Sequence, residues 1–365
     1  MRWVCLLFWL SISSVALSQS PITSGQSTGA GVPAIDGVLA AFQNYSLVGL
    51  SDWHRLAQEE DFFVSLVSDP RFARQVQNVV VEFGNASQQQ TIDRYVNGED
   101  ISYAELRNVW ADTSYAGWLP TVTALGYQNF FAAVRAANLT LPVNKRIHVW
   151  LGGRPVDWSK IRTKEDLSHF LDGEPDRFTA DLIEDKILKR GSNALVIYGT
   201  FHFYDKGQLG DLIRERYPES MTIIEPYVGF DDKSCSEVFE RSLLKEPSPA
   251  IIAVHGTDME HRLVTSTCHF VNASNFAGLT EPQKAQRRSE MDSQPQAILG
   301  QYLLYLGPAK SLTLSPLSPD LYLDPLFRKE IDRRGKLFGA PADPWPTVMD
   351  NPMVPQYLHD YGTHP

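Results

Sequence analysis

The chain has 365 residues, of which 43% are hydrophobic and 21% are charged, and it is long enough for one large domain or two smaller ones. Its formal net charge of −10 argues against nucleic acids and anionic membrane surfaces as partners. The length is enough for a large buried core.

The first residues, "MRWVCLLFWLSISSVALSQS", predict a secretory signal peptide over residues 1–18. They carry one positive charge at Arg2, then an apolar stretch too short to span a bilayer, then the small residues of a cleavage site. We therefore expect a secreted or periplasmic protein that makes no stable membrane insertion once the signal is cleaved. Residues 19–33 predict a flexible linker.

Continuous apolar runs bounded by polar turns are typical of strands buried on both faces. Such runs occur at residues 45–50, 78–83, 146–153, 193–199, 221–227 and 250–256, with one more at 301–308. Segments with helical spacing alternate with them. This order predicts an α/β fold in which helices flank a mostly parallel central sheet.

A single α/β domain is predicted over residues 34–338, with a helical insertion at about 91–144, after the second predicted strand. Residues 339–365 form a Pro-rich C-terminal tail. In an exported chain Cys235 and Cys268 would meet oxidising conditions, so they either form a disulfide or stay as two separate buried thiols.

Reactive side chains follow several predicted strands at the edge where an open parallel sheet binds its ligands. They are Asp52 and His54, Glu82 and Asn85, Arg154 and Asp157, and His202. Each alone is ordinary at a strand end, but together they predict a site on one rim. Glu82 is the strongest single indication of such a site, because a carboxylate within the apolar run "VVVEF" is costly to bury unless it is paired or binds a cation.

Two imidazoles and a carboxylate suit two kinds of chemistry, and the residues leave both open. His54, Glu82 and His202 can form an open metal site for manganese, zinc or cobalt, with positions free for water and substrate. Alternatively, one histidine acts as a general base while a carboxylate such as Asp52 fixes its tautomer.

Three short motifs, in this order and strand context, resemble a superfamily of known proteins. They are "SDWH" ending at His54, "VVVEFGN" with Glu82, and "GTFH" ending at His202. The superfamily joins erythromycin esterases, ChaN-like haem-binding proteins, TraB/PrgY proteins and Tiki metalloproteases, and the likeness extends to a group of exported bacterial proteins within it. It covers roughly residues 45–204.

The resemblance implies a parallel-sheet α/β fold with its site at His54, Glu82 and His202. It also implies lactone hydrolysis, metal-dependent peptide cleavage or haem binding, according to the branch. The chain departs from the pattern at Ser51, where the family shows Gly, and at Asp52, where the esterase-like members usually have Glu.

Three hypotheses follow. The first is a hydrolase that cleaves an ester, lactone or amide in a small-molecule or peptide substrate. The second is a protein that binds haem or another iron compound, with aromatic residues of the insertion as an apolar wall; the same rings also suit a helix core. These residues are Trp110, Tyr115, Trp118, Tyr127, Phe130 and Phe131. The third is an inactive structural or interaction module, for which Ser51 is the main support.

Overall fold

A computed structural model describes residues 31–113, 125–174, 176–204, 206–230, 233–243, 246–254, 257, 300–316, 318 and 323–339. The predicted signal peptide lies outside the described residues, as do most of the predicted linker and tail. Cys268 and the side chain of Cys235 also lie outside them, and so do Tyr115 and Trp118.

The described strands are β1 Val32–Pro33, β2 Leu47–Asp52, β3 Asn78–Asn85, β4 His148–Gly153, β5 Ala194–Gly199, β6 Met221–Pro226, β7 Ala250–Ala253 and β8 Tyr302–Tyr305. The described α-helices are α1 Ala34–Ala41, α2 Ala57–Ser68, α3 Pro70–Gln75, α4 Gln89–Val96, α5 Tyr103–Ala111, α6 Leu125–Leu139, α7 Lys164–Leu171, α8 Arg177–Lys186, α9 Phe201–Tyr204, α10 Leu209–Arg216, α11 Lys233–Ser242 and α12 Pro325–Leu337. Each apolar run predicted as a strand overlaps one of these strands, and β2 and β3 continue two residues beyond their runs.

The strands form one sheet in the order β1-β7-β8-β6-β2-β5-β3-β4. The six strands from β8 to β4 pair in parallel. At the other end β7 pairs antiparallel with both β8 and β1. The predicted α/β fold with a mostly parallel sheet is therefore confirmed.

Helices cover both faces of the sheet, which explains why its central strands are apolar throughout. Val79 and Val81 pack into a core on one face, against α2 and α6, whereas Val80 packs on the other face against α8 and α10. β2 and β5 are buried along their whole length. No described helix has both the length and the apolar character needed to cross a membrane.

The predicted helical insertion is present as α4, α5 and α6, between β3 and β4. Its aromatic side chains Trp110, Tyr127, Phe130 and Phe131 are at most 2% exposed. Tyr127 stacks on Phe83 with ring centroids 4.1 Å apart, and Phe130 and Phe131 contact the same ring edge-on. These four rings form the helix core rather than a wall open to a ligand.

Candidate active site

The order of the strands brings three distant segments together. β5 lies between β2 and β3 and pairs in parallel with both, so the carboxyl ends of all three strands meet at one edge. Asp52, the last residue of β2, is in register with Gly199, the last residue of β5. Glu82 follows the last β3 residue paired with β5, where the register of β3 becomes irregular.

The first half of the site is a carboxylate–imidazole pair at the end of β2. His54 Nδ1 lies 3.0 Å from Asp52 Oδ2, which also accepts a 2.6 Å hydrogen bond from the Tyr127 hydroxyl. Asp52 is buried, whereas the His54 side chain is 30% exposed. His54 Nε2 makes no hydrogen bond to any described residue, so Asp52 orients the ring with its other nitrogen free.

A second pair lies beyond the end of β5, where α9 carries His202. His202 Nδ1 is 2.7 Å from Asp176 Oδ2, and its Nε2 is 3.3 Å from Glu82 Oε1. Asp176 directly precedes α8 and also accepts a 2.7 Å hydrogen bond from the Leu209 amide. Asp176 is not among the residues predicted from the sequence, because an acidic residue directly before a helix usually indicates only an N-cap of that helix.

Glu82 and the free nitrogen of His54 flank one point beside Gly199. The Gly199 amide donates a 2.7 Å hydrogen bond to Glu82 Oε2. A Cβ added at Gly199 would lie 3.0 Å from His54 Nε2 and 3.3 Å from Glu82 Oε2. The absence of a side chain at Gly199 therefore lets the two polar groups approach the same space.

The charges in this cluster reinforce one another. Burial disfavours the charged form of each imidazole, but Asp52 and Glu82 outweigh it at His54 and raise its pKa to about 9. At His202, Glu82 and Asp176 likewise outweigh burial and raise the pKa to about 10. Burial favours neutral Glu82, yet the two imidazoles lower its pKa to about 2. These shifts favour the imidazolium form of both histidines and the ionised form of Glu82 near neutral pH.

This arrangement does not fit the predicted divalent metal. Among the residues that the structure describes, no three His, Cys, Asp or Glu side chains are grouped so as to hold an ion. Both nitrogens of His202 already contact carboxylates, Nδ1 with Asp176 and Nε2 with Glu82, so neither is free to bind an ion in this arrangement. The structure therefore does not support manganese, zinc or cobalt at His54, Glu82 and His202.

The three residues predicted to support the site serve other contacts. The fully buried amide of Asn85 donates to the carbonyls of Asp112 and Val156. Arg154 stacks 4.1 Å over the ring of Phe170. Asp157 is exposed and pairs with Lys160. The structure thus brings together Asp52, His54, Glu82 and His202 but uses Asn85, Arg154 and Asp157 to hold loops.

Ser51, which departs from the family pattern, has a defined partner. Its fully buried hydroxyl lies 2.6 Å from the hydroxyl of Thr200, the residue after β5. This bond joins the carboxyl ends of β2 and β5 directly beneath the two histidine-bearing segments. The serine therefore stabilises the site instead of obstructing it.

A cavity of about 940 Å³ lies beside the loops that follow β3 and β4, and His54, Glu82 and His202 are not among its lining residues. Two of its arginines are already bound by the protein. Arg333 and Arg334 donate to Glu330, and Arg334 also donates to Asp112. These charged residues of the cavity lining therefore serve to hold α12 in place.

Comparisons with known proteins give two similar folds. No protein-family model matches this chain, and no curated protein matches it either. The type III effector HopBA1 is similar over 56% of this chain and 92% of its own, at 10% identity and a TM-score of 0.37. ChaN of Campylobacter jejuni, whose structure shows cofacial heme binding, is similar over 55% of this chain and 88% of its own, at 14% identity and a TM-score of 0.33. Similarity this low does not assign a ligand or an activity.

Replacing Gly199 by alanine tests whether the space beside this residue is needed. The new methyl group would press on His54 Nε2 and Glu82 Oε2, so we expect the imidazole to shift by a few tenths of an ångström. Because this shift weakens the attraction between His54 and Glu82, we expect a folded variant, checked by circular dichroism, in which the pKa of His54 measured by NMR falls below that of the wild type. Ala41→Gly, on α1 and outside the site, is the control. Gly191→Ala would not serve, because Gly191 has a positive φ that alanine adopts only with strain.

Proposed function

We propose that this chain is an exported hydrolase that cleaves an ester, lactone or amide, with His54 as the residue that transfers a proton to the substrate. One observation carries the proposal. Two carboxylate–imidazole pairs converge on Glu82 at the carboxyl edge of the sheet, and the outer nitrogen of His54 is free and partly exposed. Groups fixed in this way need no reorganisation when charge develops on a substrate.

The raised pKa of His54 favours a proton donor at neutral pH, whereas the sequence suggested a general base. In the proposed reaction a water molecule attacks the substrate carbonyl carbon, and the bond to the leaving oxygen or nitrogen breaks. His54 Nε2 gives its proton to the leaving atom, and Glu82 accepts a proton from the water. The proton then passes from Glu82 back to His54, whose pKa is the higher of the two, and His202, held by Asp176, favours the ionised Glu82 that this transfer restores.

The pH dependence of turnover tests this assignment. Because the donor must be protonated, we expect kcat/KM to fall as the pH rises through about 9, the pKa of His54. A panel of nitrophenyl esters, lactones and peptide amides supplies the substrates. A rate that rises through the same range would assign the base role to His54 instead, and no turnover on any member of the panel would remove the hydrolase proposal.

Binding of haem or another iron compound is the second candidate. The free Nε2 of the partly exposed His54 side chain favours it, since an imidazole that gives up its proton is an axial ligand of haem iron. The buried rings of the insertion supply no open apolar wall. A Soret band on addition of haemin that is lost in His54→Ala, without hydrolysis, would favour this function over the first.

A further inference from the structure

The loop between β2 and α2 carries His54, and a buried acid on α2 holds it. The Trp53 amide, between Asp52 and His54 in the chain, donates a 2.8 Å hydrogen bond to Glu59 Oε2. Glu59 is fully buried in the first turn of α2. We infer that Glu59 is a positioning residue for the Asp52–His54 pair and that it acts in its neutral, protonated form. This inference rests on the geometry of the loop and not on hydrolysis.

The backbone on the far side of His54 is fixed by a different segment. Ser315 donates its amide to the Arg55 carbonyl at 2.7 Å, and Ala57 donates to the Thr313 carbonyl at 2.9 Å. Arg55 itself has a φ of 68°, a conformation that a non-glycine residue keeps only when its surroundings hold it. On the near side, the Trp53 amide is held by Glu59. Both sides of the His54 backbone are therefore anchored, and Glu59 supplies one of the two anchors.

The surroundings of Glu59 do not support a charge on it. Glu59 forms no ion pair with a described residue, and its Oε1 is buried without a hydrogen-bond partner. Burial, and then the negative charge of Asp52, raise its pKa well above the usual range; the Trp53 hydrogen bond opposes this shift, and Glu60 and Glu225 add to it. The guanidinium of Arg55, on the same loop, donates to the Ser315 carbonyl.

Asp52, by contrast, is placed to carry the negative charge of the pair. It accepts hydrogen bonds from Tyr127 and His54, as an ionised carboxylate does. Two adjacent buried carboxylates rarely ionise together, because each charge opposes the other. A neutral Glu59 can still accept the Trp53 hydrogen bond, so it fixes the loop without competing with Asp52 for the proton of His54.

The test measures the titration of His54 by NMR in the full chain labelled at histidine, with the signal assigned from His54→Ala. Glu59→Gln keeps a neutral acceptor, so we expect the pKa of His54 to stay within a few tenths of a unit. Glu59→Ala removes the acceptor and loosens the Asp52–His54 contact, so we expect that pKa to fall by about one unit or more. Asp61→Asn, an exposed acid on α2, is the matched control and should leave it unchanged.

Each result decides one part of the inference. A Glu59→Gln variant in which the pKa of His54 falls by about one unit or more would show that Glu59 carries a charge, and would overturn its neutral form. A folded Glu59→Ala variant with an unchanged His54 titration would overturn the positioning role. If Glu59→Ala does not fold, protection of the Trp53 amide from hydrogen exchange in Glu59→Gln decides the same point: retained protection supports the role, and its loss overturns it.

Discussion

Replacing His54 by alanine is expected to lower kcat/KM for ester or lactone hydrolysis by about 10²- to 10⁴-fold, the usual contribution of a general acid or base. The variant loses the proton donor and leaves Asp52 buried with only the Tyr127 hydrogen bond. The fold should persist, because the His54 side chain is 30% exposed and contributes little to the core. Initial rates on the best substrate of the panel, beside thermal unfolding curves, measure both effects.

His169→Ala is the matched control for this experiment. His169 also faces an aspartate, Asp172 at 3.8 Å, but it lies exposed on α7. Its replacement should leave kcat/KM unchanged. If His54→Ala and Glu82→Ala both alter nothing except stability, the chain is the inactive module that the departure at Ser51 suggested.

Replacing Asp176 by alanine is expected to have the largest effect on stability. Removal of one partner from a buried, hydrogen-bonded ion pair costs about 3–5 kcal/mol, and the change leaves His202 Nδ1 and the Leu209 amide without their acceptor. We expect the free energy of unfolding, measured in urea, to fall by that amount near neutral pH. Asp181→Asn is the control, because Asp181 lies on α8 but is exposed.

The stability lost in Asp176→Ala should depend on pH in a defined direction. His202 has a pKa raised from 6.5 to about 10, so its ion pairs stabilise the fold fully below about pH 6.5. This stabilisation is lost as the pH rises towards about 10 and His202 becomes neutral. The difference between wild type and Asp176→Ala should therefore shrink over that interval. A difference that stays constant would mean that Asp176 acts only through the Leu209 amide.

Much of the fold was predictable because strands that are buried on both faces of a sheet appear in the sequence as continuous apolar runs. Runs such as "NALVIYG" are too apolar for a strand with one face in water, and β5, which this run forms, lies inside the sheet between β2 and β3. The antiparallel pairing of β7 was not predictable, because an apolar run carries no information on strand direction. Val32 and Pro33 fall in the predicted linker, yet they pair with β7. A strand of two residues is too short to show a periodic pattern in the sequence.

The sequence predicted those site residues that lie near the carboxyl ends of strands, and it did not predict Asp176 and Glu59. Asp52, His54, Glu82 and His202 stand at or just beyond strand ends, so the rule for parallel sheets located them. Asp176 and Glu59 lie on helices or before them, and their partners are fixed by tertiary packing. Asn85 also lies at the end of a strand and was predicted for the same reason. Its side-chain amide, however, donates hydrogen bonds to two backbone carbonyls, and a sequence does not reveal such contacts.

The position of β5 between β2 and β3 also bears on how the protein is made. β2 and β3 are synthesised early, but they do not pair with each other, and their shared neighbour emerges from the ribosome more than a hundred residues after β3. Until then the nascent chain holds two apolar strands with unpaired edges, the kind of surface that binds wrong partners. β5 can pair with β2 and β3 only after translation has passed Gly199. We therefore expect ribosome-bound chains truncated before β5 to depend on chaperones and to lack the proposed hydrolase activity.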